Sequence, residues 1–476
     1  MKFKKLVFVA AAFYLFCFAF SGAASAYNRK LLKRLFLRLE TYSHQTGAVV
    51  FTVAGGKTLY SLREHKSFVP ASVAKLLTSY TALKTLGADY TFLTEVYALG
   101  HLTGGVLEGN LYIKGYGDPF LVEERIWGLA QKLKSRGFKH VKGDLVIDGS
   151  YFSPITTKLK IDENENRPYN AILSALSVDF NTVTFVIFPP DKLFGKLRVS
   201  VCPSSSFVTV KNNLKTSRKI SYPRVNISKS GGPKGKREIF VLSGYVPAKR
   251  RAFEVRSNVS YPLLFSGWSI KKKLETVGIR VDGGVKVGEV PKNAILVEEY
   301  RSPPLRKILY GLNRFSNNFM AEMLFRVLGA EVYGPPATLQ KGRKVVEKTL
   351  ESLGIPACEY SIYNGSGLSR EMKVSPFVIK RILEEAYRDF SVNAEFLASM
   401  ATPGAPGTLR CRFNGNCKKL PKLRAKTGSL NGVVTIAGYT SNSKGNIIGL
   451  AILCNGVKRS TEVKQLIDRI VCVLQE

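Results

Sequence analysis

Three short strings of residues, far apart in the chain, constrain its fold more than any other feature. They are Ser72-Val73-Ala74-Lys75, Ser316-Asn317-Asn318 and Lys426-Thr427-Gly428. Each string alone arises by chance in a long sequence. Together they supply a nucleophile, a base, a proton relay and a cationic strand, which is the equipment of a serine acyl-transfer site that uses lysine in place of histidine. The fold must therefore bring together segments that are separated by half of the chain.

The first string carries the nucleophile and the base. Ser72 and Lys75 are three residues apart at the predicted start of a helix, a spacing that places both on one face. A serine hydroxyl is a poor nucleophile until a base removes its proton, and a lysine is a base only when it is neutral. Burial and a second nearby cation both lower the pKa of a lysine, and Lys426 is the natural second cation. The alternative is a helix-capping serine followed by a solvated lysine, and the two other strings argue against it.

The second string begins another predicted helix. The Ser316 hydroxyl is a candidate to relay a proton between Lys75 and a leaving amine, and the Asn318 amide is a candidate to hold a peptide carbonyl of a substrate. Capping of the helix by Ser316 is an alternative that is compatible with the relay.

The third string begins a predicted strand. Lys426, together with the Thr427 and Ser429 hydroxyls, suits a terminal carboxylate, and Gly428 lets a ligand approach the backbone closely. The backbone N–H groups of Ser72 and Ser429 are the candidate oxyanion-hole donors. The alternative is an ordinary edge strand with a bulge.

The apolar pattern divides the chain into two α/β parts and a β-rich middle. The predicted helices cover 29–40, 72–87, 305–312, 318–328, 337–353, 376–390 and 461–474, and the predicted strands of the outer parts cover 47–53, 59–62, 432–439 and 446–454. From 90 to 302, short β-like runs alternate with Gly, Pro, Asn and Lys, and a basic loop covers 229–237. We therefore predict one catalytic domain, formed by 27–89 and 303–476, that is split by a mainly β insertion at 90–302.

The N-terminus has the composition of a secretory signal peptide at 1–26. Lysines precede an almost wholly apolar run at 6–20, and Ala24-Ser25-Ala26 offers a small-residue cleavage site. The alternative is a transmembrane anchor, but the apolar run is short for a span of ~20 residues. A lipoprotein at Cys17 is disfavoured by Phe16, where a small residue is expected. We therefore predict export across the inner membrane and a periplasmic or cell-wall-associated protein.

The cysteines and histidines give weaker signals. Six cysteines remain after the predicted signal peptide, and an even number in an exported protein permits disulfides without requiring them. Cys411 and Cys417 flank the turn pair Asn414-Gly415 and are candidates to close a small loop, with free packed cysteines as the equal alternative. The four histidines are scattered, and neither a C-x-x-C nor an H-E-x-x-H string occurs. No metal ion or other cofactor is predicted.

The charge of the chain predicts anionic partners. A formal net charge of +36 attracts polyanions. An exported chain without a nucleic-acid motif is not expected to bind nucleic acid. The expected partners are the anionic cell wall and the membrane surface, and a merely solvated basic face is the alternative.

Beyond the three strings, the sequence resembles a known family. This is the penicillin-binding protein 4 type of D-alanyl-D-alanine carboxypeptidases, which also act as endopeptidases on peptidoglycan cross-links. The similar segments cover 110–119, 169–181, 364–370, 407–409 and 424–430, and the long insertion between the first two strings is itself typical of the group. Asn110 and Asn364 depart from the pattern, because the family more often has Gly or Asp there, and the expected consequence is a change in substrate preference.

The resemblance implies a fold, a reaction and a set of site residues. The fold is a serine β-lactamase/transpeptidase-like catalytic domain of α/β (α+β) class, in which helices flank an antiparallel sheet. Ser72 is implied as the acyl-ester nucleophile, Lys75 as the proton acceptor, Ser316 and Asn318 as the second motif, and Lys426 in substrate binding. Peptidoglycan peptides are implied as substrates, and β-lactam antibiotics as covalent inhibitors.

Two other functions fit parts of the sequence. A β-lactamase or esterase of the same superfamily would use the same strings, but fast deacylation in class A β-lactamases depends on an E-x-x-L-N string, which is absent between 318 and 426. A non-catalytic wall-binding protein would use the basic surface, but it would not need an intact set of Ser72, Lys75, Ser316 and Lys426. The sequence therefore favours a serine D,D-peptidase.

Overall fold

The computed structural model of the protein describes residues 29–154, 166–190, 195, 197–233, 237–248, 250–413, 417 and 422–476. The predicted signal peptide at 1–26 lies outside these residues. Within the described ranges, every helix is too short or too polar to span a lipid bilayer.

The first part of the chain ends in the helix that carries Lys75. Its elements are α1 (29–42), β1 (Ser43–Thr52), β2 (Thr58–Leu62), a 3-10 turn (Ala71–Ala74) and α2 (Lys75–Leu86). The strand predicted at 47–53 therefore begins four residues earlier, directly after α1.

The middle part is mainly β, as predicted, but it also contains two helices that were not predicted. Its elements are β3 (Leu93–Thr103), β4 (Val106–Gly115), α3 (Glu123–Ser135), β5 (His140–Val141), β6 (Leu145–Asp148), β7 (Thr182–Phe188), β8 (Arg198–Cys202), β9 (Val208–Ser217), β10 (Arg224–Gly231), β11 (Glu238–Pro247), β12 (Phe253–Asn258), α4 (Pro262–Thr276), β13 (Arg280–Val281), β14 (Val285–Val287) and β15 (Ile295–Arg301). The buried residues Ile126, Leu129 and Leu133 of α3 follow the helical period. In the sequence, the short β-like runs on both sides of α3 obscure this helical pattern.

The last part returns to helices and ends in three long strands. Its elements are α5 (Leu305–Arg314), α6 (Asn318–Tyr333), α7 (Leu339–Ser352), β16 (Tyr360–Ser361), β17 (Lys373–Val374), α8 (Pro376–Arg388), α9 (Phe390–Ser399), β18 (Leu423–Leu430), β19 (Val433–Ser441), β20 (Ile447–Val457) and α10 (Ser460–Val473). The helix predicted at 376–390 ends at Arg388 because Asp389 caps α9, its side chain accepting from the Ser391 N–H.

Both ends of the chain share one antiparallel sheet. Its strand order is β18-β19-β20-β1-β2, so β1 pairs with β20 and with β2. The strands of the middle part belong to other sheets: β3 to β6 with β13 to β15, β7 with β8 and β12, and β9 with β10 and β11. The predicted fold class, an antiparallel sheet with flanking helices and a β-rich insertion, is confirmed.

The shared sheet is buried on both faces. Alternate residues of β1 point to opposite sides, so Val49 and Phe51 join one core with α2, α5, α6 and α8, whereas Ala48 and Val50 join a second core with α1 and α10. The edge strand β18 of this sheet lies against the turn that precedes α2.

A disulfide fastens α10 to the loop before β18. It joins Cys417 to Cys472. The candidate pairing of Cys411 with Cys417, one of two alternatives of equal weight, is therefore wrong, and Cys411 is an exposed free thiol. The Asn414-Gly415 pair favours a local reversal of the chain, whereas Cys417 and Cys472 are partly buried and pack against the core that α10 covers.

Candidate active site

Ser72 lies in the 3-10 turn immediately before α2. Ala71 has a φ of 47°, a left-handed conformation that is costly for a residue with a side chain. Pro70 precedes it, and its carbonyl accepts a hydrogen bond from the Thr435 hydroxyl at 2.8 Å. The turn is therefore held from the sheet, and it presents a partly exposed Ser72 hydroxyl.

Lys75 is fully buried, and three oxygens surround its Nζ. It lies 2.8 Å from the Ser72 Oγ, 2.6 Å from the Asn318 Oδ1 and 2.9 Å from the Ser366 carbonyl. The two carbonyl oxygens can only accept, so they take two N–H bonds, whereas the Ser72 hydroxyl can donate. This arrangement suits a neutral amine whose lone pair faces the serine proton.

Burial also moves the titration of Lys75 toward neutrality. Desolvation lowers the pKa of Lys75 to about 7, and the Glu322 carboxylate opposes this change. Near neutral pH a large share of Lys75 is therefore uncharged, which is the state that a general base requires.

Lys426 is the second fully buried lysine of the site. It donates to the Ser316 Oγ at 2.8 Å and to the Thr427 carbonyl at 2.7 Å. Burial, and then repulsion by Lys75, lowers the pKa of Lys426 well below its usual value. Because the repulsion is mutual, the two ammonium groups disfavour each other's charge.

Ser316 adopts a left-handed backbone conformation, with a φ of 59°, just before α6. The helix is capped by Asn317, whose side chain accepts from the Met320 N–H, and not by Ser316 as the sequence allowed. The Ser316 hydroxyl is therefore left for Lys426, while Asn318, the first residue of α6, reaches Lys75. The second string thus contacts both lysines.

A glycine is required at position 428 because the chain packs closely against it. A Cβ on Gly428 would lie 2.9 Å from both the Pro70 carbonyl oxygen and the Ser72 nitrogen. The sequence predicted that this glycine admits a ligand, whereas in the structure it makes room for the turn that carries Ser72. Strand β18 consequently runs directly beside Ser72.

One edge of β18 is not paired with β19. Ala425 exchanges both of its backbone hydrogen bonds with Ala401, outside the sheet. Backbone groups of successive residues in an antiparallel strand point to opposite sides, so those of Thr427 and Ser429 also point outward. The Ser429 N–H is therefore directed away from β19, to the edge at which an extended peptide can add as a further strand.

The segment from Asn364 to Gly367 completes the pocket, whereas the sequence predicted only a family resemblance there and an effect of Asn364 on substrate preference. Its Ser366 carbonyl accepts from Lys75, and the Thr78 hydroxyl donates to the Gly365 carbonyl at 2.8 Å. The buried side chain of Asn364 accepts from the Gly367 N–H at 3.1 Å. The residue at which this chain departs from the family pattern therefore helps to form the turn. In the sequence, this segment was indicated by the family resemblance at 364–370. The role of a backbone carbonyl could not be predicted, because it does not depend on the type of side chain.

The structure therefore brings the predicted residues together in two linked groups. Ser72, Lys75 and Asn318 form the first group, Ser316 and Lys426 form the second, and Thr427 and Ser429 lie on the adjoining strand edge. In the ranges that the structure describes, no three His, Cys, Asp or Glu side chains are grouped to hold a metal ion.

The fold and the site define a class of protein, the serine enzymes of the penicillin-binding type, in which a lysine lies beside the nucleophile. The chain belongs to the D-Ala-D-Ala carboxypeptidase 3 (S13) family, whose model matches residues 33–476. The predicted family and enzyme class, a serine-type D-Ala-D-Ala carboxypeptidase, are thereby confirmed.

Individual relatives agree with this assignment. A D-alanyl-D-alanine carboxypeptidase of Actinomadura sp. is 31% identical over 427 residues, which cover 86% of this chain and 78% of that protein. Penicillin binding protein 4 of Haemophilus influenzae, at 24% identity, has a similar fold, with a TM-score of 0.79 over 92% of this chain and 97% of that one. The same protein complexed with a β-lactam gives a TM-score of 0.75 at 23% identity, with equal coverage.

Proposed function

We propose that the protein cleaves the D-Ala-D-Ala bond of peptidoglycan stem peptides, and related cross-links, through an acyl-enzyme on Ser72. The observation that carries the proposal is the buried Lys75 Nζ at 2.8 Å from the Ser72 Oγ, with its two N–H bonds engaged elsewhere. Such a pair can transfer a proton without any other base.

Acylation would begin at neutral Lys75, which accepts the Ser72 proton as Oγ attacks the carbonyl carbon of the penultimate D-alanine. The N–H groups of Ser72 and Ser429 would stabilise the developing oxyanion. The proton would then pass through the Ser316 hydroxyl to the leaving D-alanine nitrogen as the C–N bond breaks. Water would release the acyl group by the reverse proton path, with Asn318 holding a substrate amide.

Lys426 would bind the terminal carboxylate together with the Thr427 and Ser429 hydroxyls. A carboxylate favours the charged form of a neighbouring lysine, so substrate binding would protonate Lys426. The resulting cation would in turn keep Lys75 neutral at the moment when it must act as a base.

Lys426→Gln should weaken both functions. The KM for a D-Ala-D-Ala peptide should rise, and the acidic limb of the kcat profile should move to higher pH because Lys75 loses its cationic neighbour. We expect a loss of transition-state stabilisation on the order of 2–4 kcal/mol, as for other preorganised electrostatic contacts. Steady-state kinetics from pH 6 to pH 9 would measure this, and an unchanged kcat/KM would contradict the assignment.

β-Lactams would react at the same serine, because ring opening supplies the acyl group but the leaving nitrogen stays attached. The experiment that tests the proposed function combines two measurements on the wild type. One is the mass of the intact protein after exposure to benzylpenicillin, expected to rise by one penicilloyl group. The other is D-alanine release from a pentapeptide, and absence of both would overturn the proposal.

We also propose the place and the domain organisation of the enzyme. The substrate lies outside the inner membrane, so the signal peptide predicted at 1–26 would deliver a periplasmic or wall-associated protein. Residues 27–89 and 303–476 would form the catalytic domain, and 90–302 the insertion. The sheet that β18, β19 and β20 share with β1 and β2 supports this division.

The insertion carries a basic sheet face that we propose as a contact with anionic membrane lipids. Lys215, Tyr245 and Arg224 lie side by side across β9, β11 and β10, and all three are exposed. Over the described residues 197–258, which also include strands β8 and β12 of another sheet, exposed cations outnumber exposed acids. Glu254 is the one exposed acid there, and the further exposed cations are Arg198, Lys211, Arg218, Lys219, Arg237, Arg250, Arg251 and Arg256. Exposed tyrosines between cations favour a lipid interface over a purely polar polymer.

Reversing two charges of this face should weaken membrane binding. Lys215→Glu with Arg224→Glu should reduce cosedimentation with phosphatidylglycerol vesicles at least tenfold, given roughly 1 kcal/mol for each basic residue near an anionic surface. Lys344→Glu with Lys348→Glu on α7 makes the same charge change elsewhere and should have little effect. Equal losses in both variants would contradict a specific face, and retention on peptidoglycan sacculi instead of vesicles would make the wall the partner.

A further inference from the structure

One face of α6 contacts both Lys75 and the Ser366 backbone, whose carbonyl is a hydrogen-bond acceptor of Lys75. Asn318, Glu322 and Arg326 follow one another at intervals of four residues, so their side chains form a single column. Asn318 accepts from Lys75 at 2.6 Å, and Glu322 accepts from the Ser366 N–H at 2.9 Å. The Ser366 carbonyl in turn accepts from Lys75 at 2.9 Å. The column therefore fixes Lys75 directly and through Ser366.

Glu322 is almost completely buried, and its surroundings explain how a carboxylate is tolerated there. Arg326 is buried beside it, with its Nη1 at 3.0 Å from Glu322 Oε2, and it also donates to the Glu322 carbonyl. The two carboxylate oxygens thus serve different partners, since Oε1 takes the Ser366 N–H and Oε2 takes Arg326. A buried charge pair is a costly element, and a hydrophobic pair of similar volume would often be as stable.

We propose that Glu322 is a positioning residue for the Lys75 base: it anchors the Ser366 backbone on which Lys75 hydrogen-bonds, and it brings a negative charge to the wall of the pocket. This inference rests on the proposed function, because it assumes that Lys75 deprotonates Ser72. The charged groups that face the pocket are Lys75 from α2, Lys426 from β18, and Glu322 with its partner Arg326 from α6.

The charge of Glu322 and its hydrogen bond to the Ser366 N–H should have separable effects on the reaction. The Glu322 carboxylate raises the pKa of Lys75 against the effect of burial. Glu322→Gln keeps an oxygen for the Ser366 N–H but loses the charge, and it leaves Arg326 as an unpaired cation. Both changes favour neutral Lys75, so the acidic limb of the kcat/KM profile should move to lower pH by roughly one unit.

Glu322→Asp has the opposite pattern. It keeps the charge, so the acidic limb should stay near the wild-type position. The carboxylate retreats by one methylene from the Ser366 N–H, so the pH-independent kcat/KM should fall by roughly tenfold or more, as expected when a catalytic group is misplaced.

The test compares these variants with changes at Glu384. That carboxylate is also buried, and it pairs with an arginine of its own helix, Arg381 of α8, at 3.2 Å. Glu384→Gln and Glu384→Asp should lower the melting temperature as the Glu322 changes do, but should leave the pH profile and kcat/KM near wild type. Penicillin acylation rates and D-alanine release would be measured across pH 5 to pH 9 for all four variants.

The outcomes distinguish this inference from the proposed function. If wild-type protein forms no penicilloyl adduct and releases no D-alanine, the proposed function fails. If wild type is active but Glu322→Gln keeps its acidic limb within about 0.3 pH unit, Glu322 does not act on Lys75. If Glu322→Gln does not fold, Glu322→Asp decides, because kcat/KM within about twofold of wild type would overturn the anchoring role.

Discussion

Ser72→Ala protein should remain unmodified when it is mixed with benzylpenicillin. The variant lacks the oxygen that would form the acyl ester. Among the described residues, no other hydroxyl is hydrogen-bonded to the Lys75 Nζ. Loss of the nucleophile should reduce peptidase activity by about 10⁴-fold or more, as in other serine enzymes. Intact mass spectrometry measures the adduct, and D-alanine release measures the activity.

The fold should survive this change, because Ser72 is partly exposed and caps no helix through its side chain. A melting temperature near that of wild type would verify this. Ser352→Ala, at an exposed serine on α7, is the matched control and should acylate normally. A penicilloyl adduct on Ser72→Ala protein would exclude Ser72 as the nucleophile.

Lys75→Arg should be nearly as inactive as Lys75→Ala. A guanidinium stays protonated at any accessible pH, so it cannot accept the Ser72 proton. It is also larger than the fully enclosed ammonium that three oxygens now surround. We expect acylation to slow by about a thousandfold or more, within the range of general-base effects. Stopped-flow acylation with a chromogenic β-lactam would give the rate.

The pH dependence of the wild type belongs to the same test. Burial lowers the pKa of Lys75 to about 7, so the base is neutral above this pH and protonated below it. The acylation rate should therefore fall as the pH drops below about 7 and level off above it. Lys84→Arg, at an exposed lysine of the same helix that pairs with Asp389, should leave the profile unchanged. Acylation of Lys75→Arg within about tenfold of wild type would refute the general-base role.

The sequence by itself determined the family and the enzyme class. Ser72, Lys75, Ser316, Asn318 and Lys426 lie in strings whose side chains predict an acyl-transfer reaction without reference to a fold. The apolar run at 47–53 likewise predicted the strand β1. These signals are local, because each depends on side-chain identity and on spacing within a few residues.

Tertiary structure alone decided how the pocket is closed. The Ser366 carbonyl that accepts from Lys75 comes from a turn held by Glu322 and Asn364, and a backbone oxygen leaves no trace in residue type. The pairing of Cys417 with Cys472 depends on where α10 packs, not on the turn beside Cys417. Such contacts form between segments far apart in the chain, and their partners are chosen by packing in three dimensions, which local spacing does not encode.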